Sequence, residues 1–378
     1  MEIIRLEPDA QGMVDWPTLS NDKRAVVTIG TFDGVHRGHQ AVLSRAVELA
    51  HKHDVVSVAI TFDPRPRVVH TYAAQHHGEQ LASAQDYNDT EALMGLTRRL
   101  ELIEAQGFDY AIVVRYTLEF AARTYIFFLG QLVGKLGMRT LVLGNDATMG
   151  KGREGNIKAI EKLSQATGVF ELEVVDDEGS GPLYLPRKMQ YVVPTQAGEP
   201  NNPLKSMSKA QLRAWSKKNN GVPTREYSST MVRFLLTRGI VADAAHILGR
   251  AHSIDAVVEH GQARGRELGF PTANCGQIQG LIPVEGVYSG YLTVLESGKR
   301  YSAAISVGKN ETFNGEARTV EVYCIDIPQD TTFDVYDKAV RVEFTHYLRP
   351  QVKFNSVNAL VQQMTLDVDN ARELSENL

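Results

Sequence analysis

Apolar runs at residues 25–27, 55–64, 110–116, 139–144 and 170–178 alternate with stretches whose apolar residues recur at helical spacing. No other feature restricts the fold as much. In the first such stretch Ala41, Leu43, Ala46, Val47 and Ala50 fall on one helical face, and helices are expected again over 90–106, 120–136 and 156–167. Strands alternating with helices of about 12–17 residues imply a parallel, doubly wound α/β sheet. Ligands of such sheets sit beyond the carboxyl ends of the strands. His36, His39, Asp63 and Asp146 all follow strand ends, so they are expected to converge on that edge.

The turn after the first of these strands is the most informative, since residues 28–39 read TIGTFDGVHRGH. Gly38 between two imidazoles lets a phosphate approach the backbone, and the helix that follows offers unpaired N–H groups and a partial positive charge. His36 and His39 can hydrogen-bond α-phosphate oxygens as charge builds while pyrophosphate leaves. This HxGH pattern points to nucleotidyl transfer. Read as ordinary polar loop residues, the two histidines would not need a strand before and a helix after them.

Past Arg250 the pattern changes to strand-like runs at 254–260, 287–295, 301–307, 318–327 and 339–347, separated by Gly and Pro turns. With no helix between them they predict a small antiparallel β-barrel, closed by one long helix from 356 to about 374. Gly261, Gly265 and Gly269, with Arg264 and Arg266, make a basic loop able to wrap phosphates. Thr272 and Asn274 supply neutral oxygens of the kind Mg²⁺ accepts beside phosphates and water. Glu321 lies in a β-branched strand; facing inward near phosphate it is a candidate base, facing outward an ordinary surface charge. No GxxxxGK[ST] occurs, so a kinase here is not of the P-loop type.

Ser228, Ser229 and Thr230 open a further expected helix, with Arg233 in its first turn, a set that suits a triphosphate. Between the halves, residues 182–226 hold six prolines, eight Lys or Arg and only two acidic residues. They read as a solvated surface insertion with a short helix near 208–217, or else as a basic flap or docking surface. Gly150, Gly152 and Gly155 spell GxGxxG before a helix, yet six residues separate them from their strand, unlike a dinucleotide fingerprint. Ser206 to Ala210 (SMSKA) is like the KMSKS loop of aminoacyl-tRNA synthetases, but no tRNA-binding domain follows.

A chain of 378 residues suggests about two domains. A formal charge of −5 argues against a nucleic-acid coat or an anionic-membrane binder, and no apolar run approaches a membrane span. The N-terminus lacks the layout of a signal peptide. Cys275 and Cys324, far apart, fit neither a disulfide framework nor a zinc site, and suit a reducing cytoplasm.

The motifs TFDGVHRGH, TFDPRP, GNDATMG, SSTMVR, RGRELGFPTAN, VGKNETF, VEVYCID and LRPQVKF, in that order, resemble the bacterial bifunctional riboflavin kinase/FMN adenylyltransferases over nearly the whole chain. The resemblance implies an adenylyltransferase domain over 1–248, carrying the 182–226 insertion, and a riboflavin kinase barrel over 249–378. It implies that riboflavin is phosphorylated to FMN by ATP with Mg²⁺, and that FMN is then adenylylated to FAD. His36 and His39 would serve adenylyl transfer and Glu321 would be the kinase base. Gly30, Phe32, Gly38, Asp146, Ser229, Thr230, Arg233, Gly261, Arg266, Gly269 and Thr272 would bind nucleotide, Asp63 and Arg349 flavin, and Thr272 with Asn274 the metal. The partners implied are small molecules, without nucleic acid or membrane. This chain has Ala147 and Met149 where the family has phenylalanines, Glu311 in place of a proline, and Asp337 in place of a glycine. Two other readings stay open: a monofunctional adenylyltransferase with a degenerate barrel, or a flavin-sensing barrel. Thr272, Asn274 and Glu321 together favour the kinase, because a sensor needs neither a metal site nor a base.

Overall fold

Strands form where the apolar runs predict them. The computed structural model describes residues 1–19, 24–82, 87, 89–176, 183–186, 189–260, 269–312, 315–325, 327 and 335–376. They divide into two units, Met1–Asp89 with Leu96–Glu178, and Thr90–Gly95 with Gly179–Leu378.

In the first unit, β1 (Glu2–Leu6), β2 (Ala25–Ile29), β3 (Val56–Phe62), β4 (Tyr110–Val114) and β5 (Met138–Gly144) belong to one sheet. A short ladder of β6 (Thr148–Met149) and β7 (Gly155–Asn156) stands apart, and β8 (Glu171–Val175) completes the sheet. The order is β1-β4-β3-β2-β5-β8, with every pair parallel. Central strands such as AVVTI are buried on both faces, as helix-covered parallel strands are. Helix α1 (Arg37–His53) buries Val42, Leu43, Ala46, Val47, Leu49 and Ala50 and ends at Asp54 in the left-handed region, with His51, Lys52 and His53 in its last turn. Cations there complement the helix dipole. Helices α2 (Pro66–Gln75) and α3 (Leu96–Glu104) follow.

The single helix expected over 120–136 is instead three pieces: α4 (Leu118–Ala121), α5 (Tyr125–Gln131) and a π-turn at Leu132–Leu136. Thr117 and Thr124 explain the break, since each side chain accepts a hydrogen bond from the backbone N–H three residues on and starts a new helix. Two of the GxGxxG glycines serve packing against Tyr125, while a Cβ on Gly152 would meet nothing within 4 Å. A Cβ on Gly150 would lie 2.4 Å from Tyr125 N, and one on Gly155 would lie 2.5 Å from Tyr125 Cβ. Helix α6 (Ile157–Thr167) then starts from an Asn156 cap.

The second unit contains β9 (Leu183–Pro186) paired with β10 (Gly221–Thr224), and helices α7 (Pro203–Ser206), α8 (Lys209–Lys218), α9 (Ser229–Leu236) and α10 (Val241–Leu248). A closed antiparallel barrel follows, built from β11 (His252–Glu259), β12 (Ala273–Gln279), β13 (Gly286–Val294), β14 (Arg300–Thr312), β15 (Gly315–Cys324) and β16 (Ala339–Arg349). Helix α11 (Val357–Glu376) ends the chain. The expected fold class, a doubly wound parallel sheet followed by a small antiparallel barrel and a C-terminal helix, is the one observed.

The 182–226 segment is not a solvated appendage. Leu185 and Leu204 are buried in one apolar cluster with Phe234, Leu248, Ile254 and Phe344, and Trp215 packs edge-on to Phe234. The SMSKA string has a structural role: Ser208 caps α8 in a reciprocal capping box with Gln211. Among the described residues no helix is long and apolar enough to cross a membrane.

Candidate active sites

The strand β2 is flanked by β3 and β5, so the HxGH turn, Asp63 and Asp146 all follow adjacent carboxyl ends of the first unit's sheet. The backbone of the turn is held in an unusual shape. Phe32, Gly34 and Val35 have φ of 47°, 87° and 38°, and a β-branched residue there is strained. Gly30 is required: a Cβ would lie 2.8 Å from the Phe32 ring.

His36 caps α1, its Nδ1 accepting the His39 N–H at 3.3 Å, and the two imidazoles stack with centroids 3.7 Å apart. Gly38 is the second residue of the helix and Phe32 meets the His39 ring edge-on at 5.4 Å. Burial pushes the His39 pKa down to about 4, Asp33 opposing this and Arg99 adding to it. At neutral pH His39 is therefore an uncharged imidazole. Its Nδ1, and the Oδ1 of Asn145 just past β5, are buried without a hydrogen-bond partner among the described residues. Unpaired buried polar atoms are costly, and two of them at one sheet edge fit a polar ligand. Asp146 beside Asn145 is exposed; Ala147 and Met149 pack against the sheet's core.

Sequence reasoning missed the residues beneath this turn. Arg65 donates to Asp33 Oδ2 at 2.7 Å and, as a fork, to both oxygens of Asp89 at 2.5 and 2.6 Å. Arg65 and Asp33 are 6% and 3% exposed at the side chain, so their pair is shielded from water, while Asp89 is 23% exposed. Arg99, also buried, donates to the Phe62 carbonyl at 2.9 Å, and burial lowers its pKa. Burial raises the Asp63 pKa, with Arg99 the first opposing influence. Asp33 lies in TFDGVHRGH and Arg65 in TFDPRP, but neither string names the other as its partner. Removing Arg65 would take a buried cation away from two carboxylates. We expect Arg65→Leu to lose about 3–5 kcal/mol of stability, the usual cost of breaking one side of a buried pair, measured by urea denaturation.

In the second unit Ser228, rather than Ser229, caps α9, accepting from Met231 N at 3.1 Å. Ser229 and Thr230 are the first two helical residues. Arg233 is 7% exposed and its Nε donates to the Glu91 carbonyl at 2.7 Å.

In the barrel, Val320 and Val322 point into a packed apolar core, so Glu321 between them faces outward and is exposed. The inward-facing arrangement that would have marked a base is not found. Among the described residues, buried apolar side chains such as Ile254, Val320, Val322, Val342 and Phe344 line the barrel core, and the polar neighbours of Glu321 lie on its own, outer face. There Asn274 lies directly opposite Glu321 on the neighbouring strand, with Ser306 opposite it on the other side and Glu259 opposite Asn274. Directly paired residues on one face are about 4.5–5.5 Å apart at Cβ. Thr272 lies two residues before Asn274, and Gly269 is an exposed turn residue with φ 85°. Gly261 and Arg266 lie outside the described residues. Arg349, at the end of β16, gives its fork to Asp367 of α11 at 2.8 and 2.6 Å. Asp337 has φ 57°, in the left-handed region that glycine adopts without strain.

The family model described as FAD synthetase matches residues 18–181, and that described as riboflavin kinase matches 248–375. Curated proteins named bifunctional riboflavin kinase/FMN adenylyltransferase are similar over most of the chain. That of Listeria monocytogenes is 29% identical, covering 93% of this chain and 92% of its own. That of Haemophilus influenzae is 28% identical over 92% of each, and that of Bacillus subtilis is 26% identical over 94% of each. A crystal structure titled macrolide-efflux protein from Streptococcus pneumoniae shares the fold, at TM-score 0.70 and 24% identity over 98% of this chain and 99% of that one.

Proposed function

Because this chain belongs to the bifunctional riboflavin kinase/FMN adenylyltransferases, we propose that its two reactions are divided between the two sets of residues just described. The enzyme phosphorylates riboflavin and adenylylates FMN. The division of activities proposed is 1–248 for adenylyl transfer and 249–378 for the kinase. One observation carries the kinase assignment: Asn274 and Glu321 are cross-strand neighbours on the outer face of the closed barrel.

On this reading Glu321 takes the proton from the terminal ribityl hydroxyl as its oxygen attacks the γ-phosphorus of ATP, and ADP leaves. Thr272 and Asn274 fit Mg²⁺: they are half-exposed neutral oxygen donors beside a carboxylate. Among the described residues no three His, Cys, Asp or Glu side chains group as a metal cage, so the phosphates and water would supply the remaining ligands. When bound, the ion neutralises charge on the transferring phosphates. Gly261, Arg266 and Gly269 would wrap those phosphates by the family's motif. Arg349, already engaged with Asp367, would act at the flavin end by fixing α11 there.

In the second reaction an FMN phosphate oxygen attacks the α-phosphorus of a second ATP and pyrophosphate leaves. His36 and His39 would donate to the α-phosphate, with Gly30, Phe32, Gly38 and Asp146 forming the nucleotide's surroundings and Asp63 facing the flavin. Family likeness adds Ser229, Thr230 and Arg233 to the nucleotide set. The partners in this reading are small molecules, with no nucleic acid or membrane. The cytoplasm, where free Cys275 and Cys324 stay reduced, is the proposed location.

The test is incubation with riboflavin and Mg·ATP followed by chromatography of the flavins. We expect wild type to yield FMN and FAD. Glu321→Gln keeps the shape but cannot accept a proton, and should lower FMN formation about 10²–10⁴-fold at unchanged KM for riboflavin. Wild-type turnover in that variant would place the base elsewhere.

A further inference from the structure

Residues 189–202 have no helix or strand of their own, yet they are tied to the second unit along their length. Tyr191 donates its hydroxyl to the Ile282 carbonyl at 3.2 Å, and the Arg318 guanidinium lies 3.3 Å from the centre of its ring. Val192 N donates to the Thr237 carbonyl at 2.9 Å and Gly198 N to the Leu348 carbonyl at 2.8 Å. The Glu199 carboxylate accepts two backbone hydrogen bonds, from Ala242 N at 2.9 Å and from Tyr347 N at 2.7 Å. Asn202 and Lys205 then both donate to Asp243 at 2.9 Å.

The places where this segment attaches are not scattered. Arg318 stands three residues before Glu321 on β15, and reaches Glu285, which also pairs with Lys309 of β14. Lys309 lies opposite Arg318 in the β14–β15 ladder, two rungs from the Val307–Val320 pair beside Glu321. Tyr347 and Leu348 immediately precede Arg349 on β16. The segment thus grips the strand that carries the proposed base and the strand that carries the proposed flavin-end arginine. A guanidinium on an aromatic face is held by the ring's quadrupole, more strongly the less water reaches it, and charge-assisted bonds to backbone N–H exceed neutral ones.

We propose that residues 189–202 form a strap that fixes β15 and β16 for phosphoryl transfer, with Tyr191 and Glu199 as positioning residues of the kinase. This rests on the kinase reading above. It gives the segment a task in the kinase rather than over the adenylyl-transfer site. Glu199 strengthens the case, because burial raises its pKa to about 7, with the Tyr347 and Ala242 N–H bonds opposing and Asp243 adding to the rise. Above that pH its carboxylate can accept both N–H groups; protonated, one oxygen becomes a donor and the clasp loosens. The groups facing Glu199 are Asp243 and the N–H end of α10, Tyr347 of β16 and Tyr288 of β13, both tyrosines held un-ionised by burial.

The test measures riboflavin phosphorylation and FMN adenylylation separately in Tyr191→Leu, Tyr191→Phe and Glu199→Gln, with thermal melts for each. A misplacement of about 1 Å can cost up to 10²-fold. We expect Tyr191→Leu to lower kinase kcat about tenfold with the KM for ATP little changed, adenylylation within about twofold of wild type, and Tyr191→Phe to recover most of the loss. Wild-type kinase kcat should fall as pH drops from 8 to 6, and Glu199→Gln should flatten that fall. Folded variants with full kinase kcat, or with both activities lowered equally, would overturn the strap. No riboflavin phosphorylation by wild type would instead remove the kinase reading on which it rests.

Discussion

His36→Ala is expected to lower FAD formation from FMN and ATP by about 10²–10³-fold, the cost of removing one preorganised donor to a developing charge. FMN formation from riboflavin should stay within about twofold, because such stabilisation acts only locally. The His36 Nδ1 accepts the His39 N–H, which leaves the ring proton on Nε2, the nitrogen able to donate. His39 is its stacked neighbour and neutral, so the pair offers hydrogen bonds rather than fixed positive charge. His39→Ala should match His36→Ala in FAD formation. Flavin chromatography after each half-reaction checks both. The depressed His39 pKa also has a sign for stability. The unfolded chain binds more protons between about 6.5 and 4, so this contribution is complete above 6.5 and lost as pH falls towards 4. Equal loss of both activities in His36→Ala would mean that the turn organises more than adenylyl transfer.

The alternation of apolar runs made the parallel sheet legible, because strands buried on both faces cannot hide their hydrophobicity. Two strands of the main sheet and the barrel escaped, as did the short pairs β6–β7 and β9–β10. β1 reads EIIRL at a sheet edge and is largely exposed, so it has neither a continuous apolar run nor clear alternation. β12 reads ANCGQIQ; it is absent from the expected strands because it has no apolar run, yet its backbone pairs with β11 and β15. The histidine turn was legible because the chemistry and the strand–turn–helix context coincide in twelve consecutive residues. The ion pairs beneath it were not. Arg65, Asp33 and Asp89 are brought together only by folding, and a lone arginine in sequence carries no sign of its partner. For Glu321, the sequence tied a base to an inward face, and the structure turns it outward; its cross-strand polar neighbour Asn274, a residue far away in sequence, was the part that alternation alone could not supply.

The barrel's apolar core governs how the chain can be cut. The proposed kinase region begins at residue 249, yet the barrel's apolar cluster extends upstream. Met231, Val232, Phe234, Leu235 and Leu236 of α9, and Val241, Ala244, Ile247 and Leu248 of α10, are buried together with Ile254, Leu292, Val342 and Phe344. Each large apolar side chain fully buried is worth about 1.5–3 kcal/mol, against a whole-domain stability of about 5–15 kcal/mol. Losing the two helices removes more than that margin and bares the barrel surface they cover. We therefore expect a fragment from Gly249 to Leu378 to lack a cooperative unfolding transition and to aggregate. A fragment from Gly179 to Leu378 retains both helices, β9, β10 and the 189–202 segment. It should unfold cooperatively and convert riboflavin with Mg·ATP to FMN while making no FAD, since His36 and His39 are gone. Denaturant melts and flavin chromatography on the two fragments measure this. A cooperative, active fragment from Gly249 would show that the helices cover the barrel without holding it together.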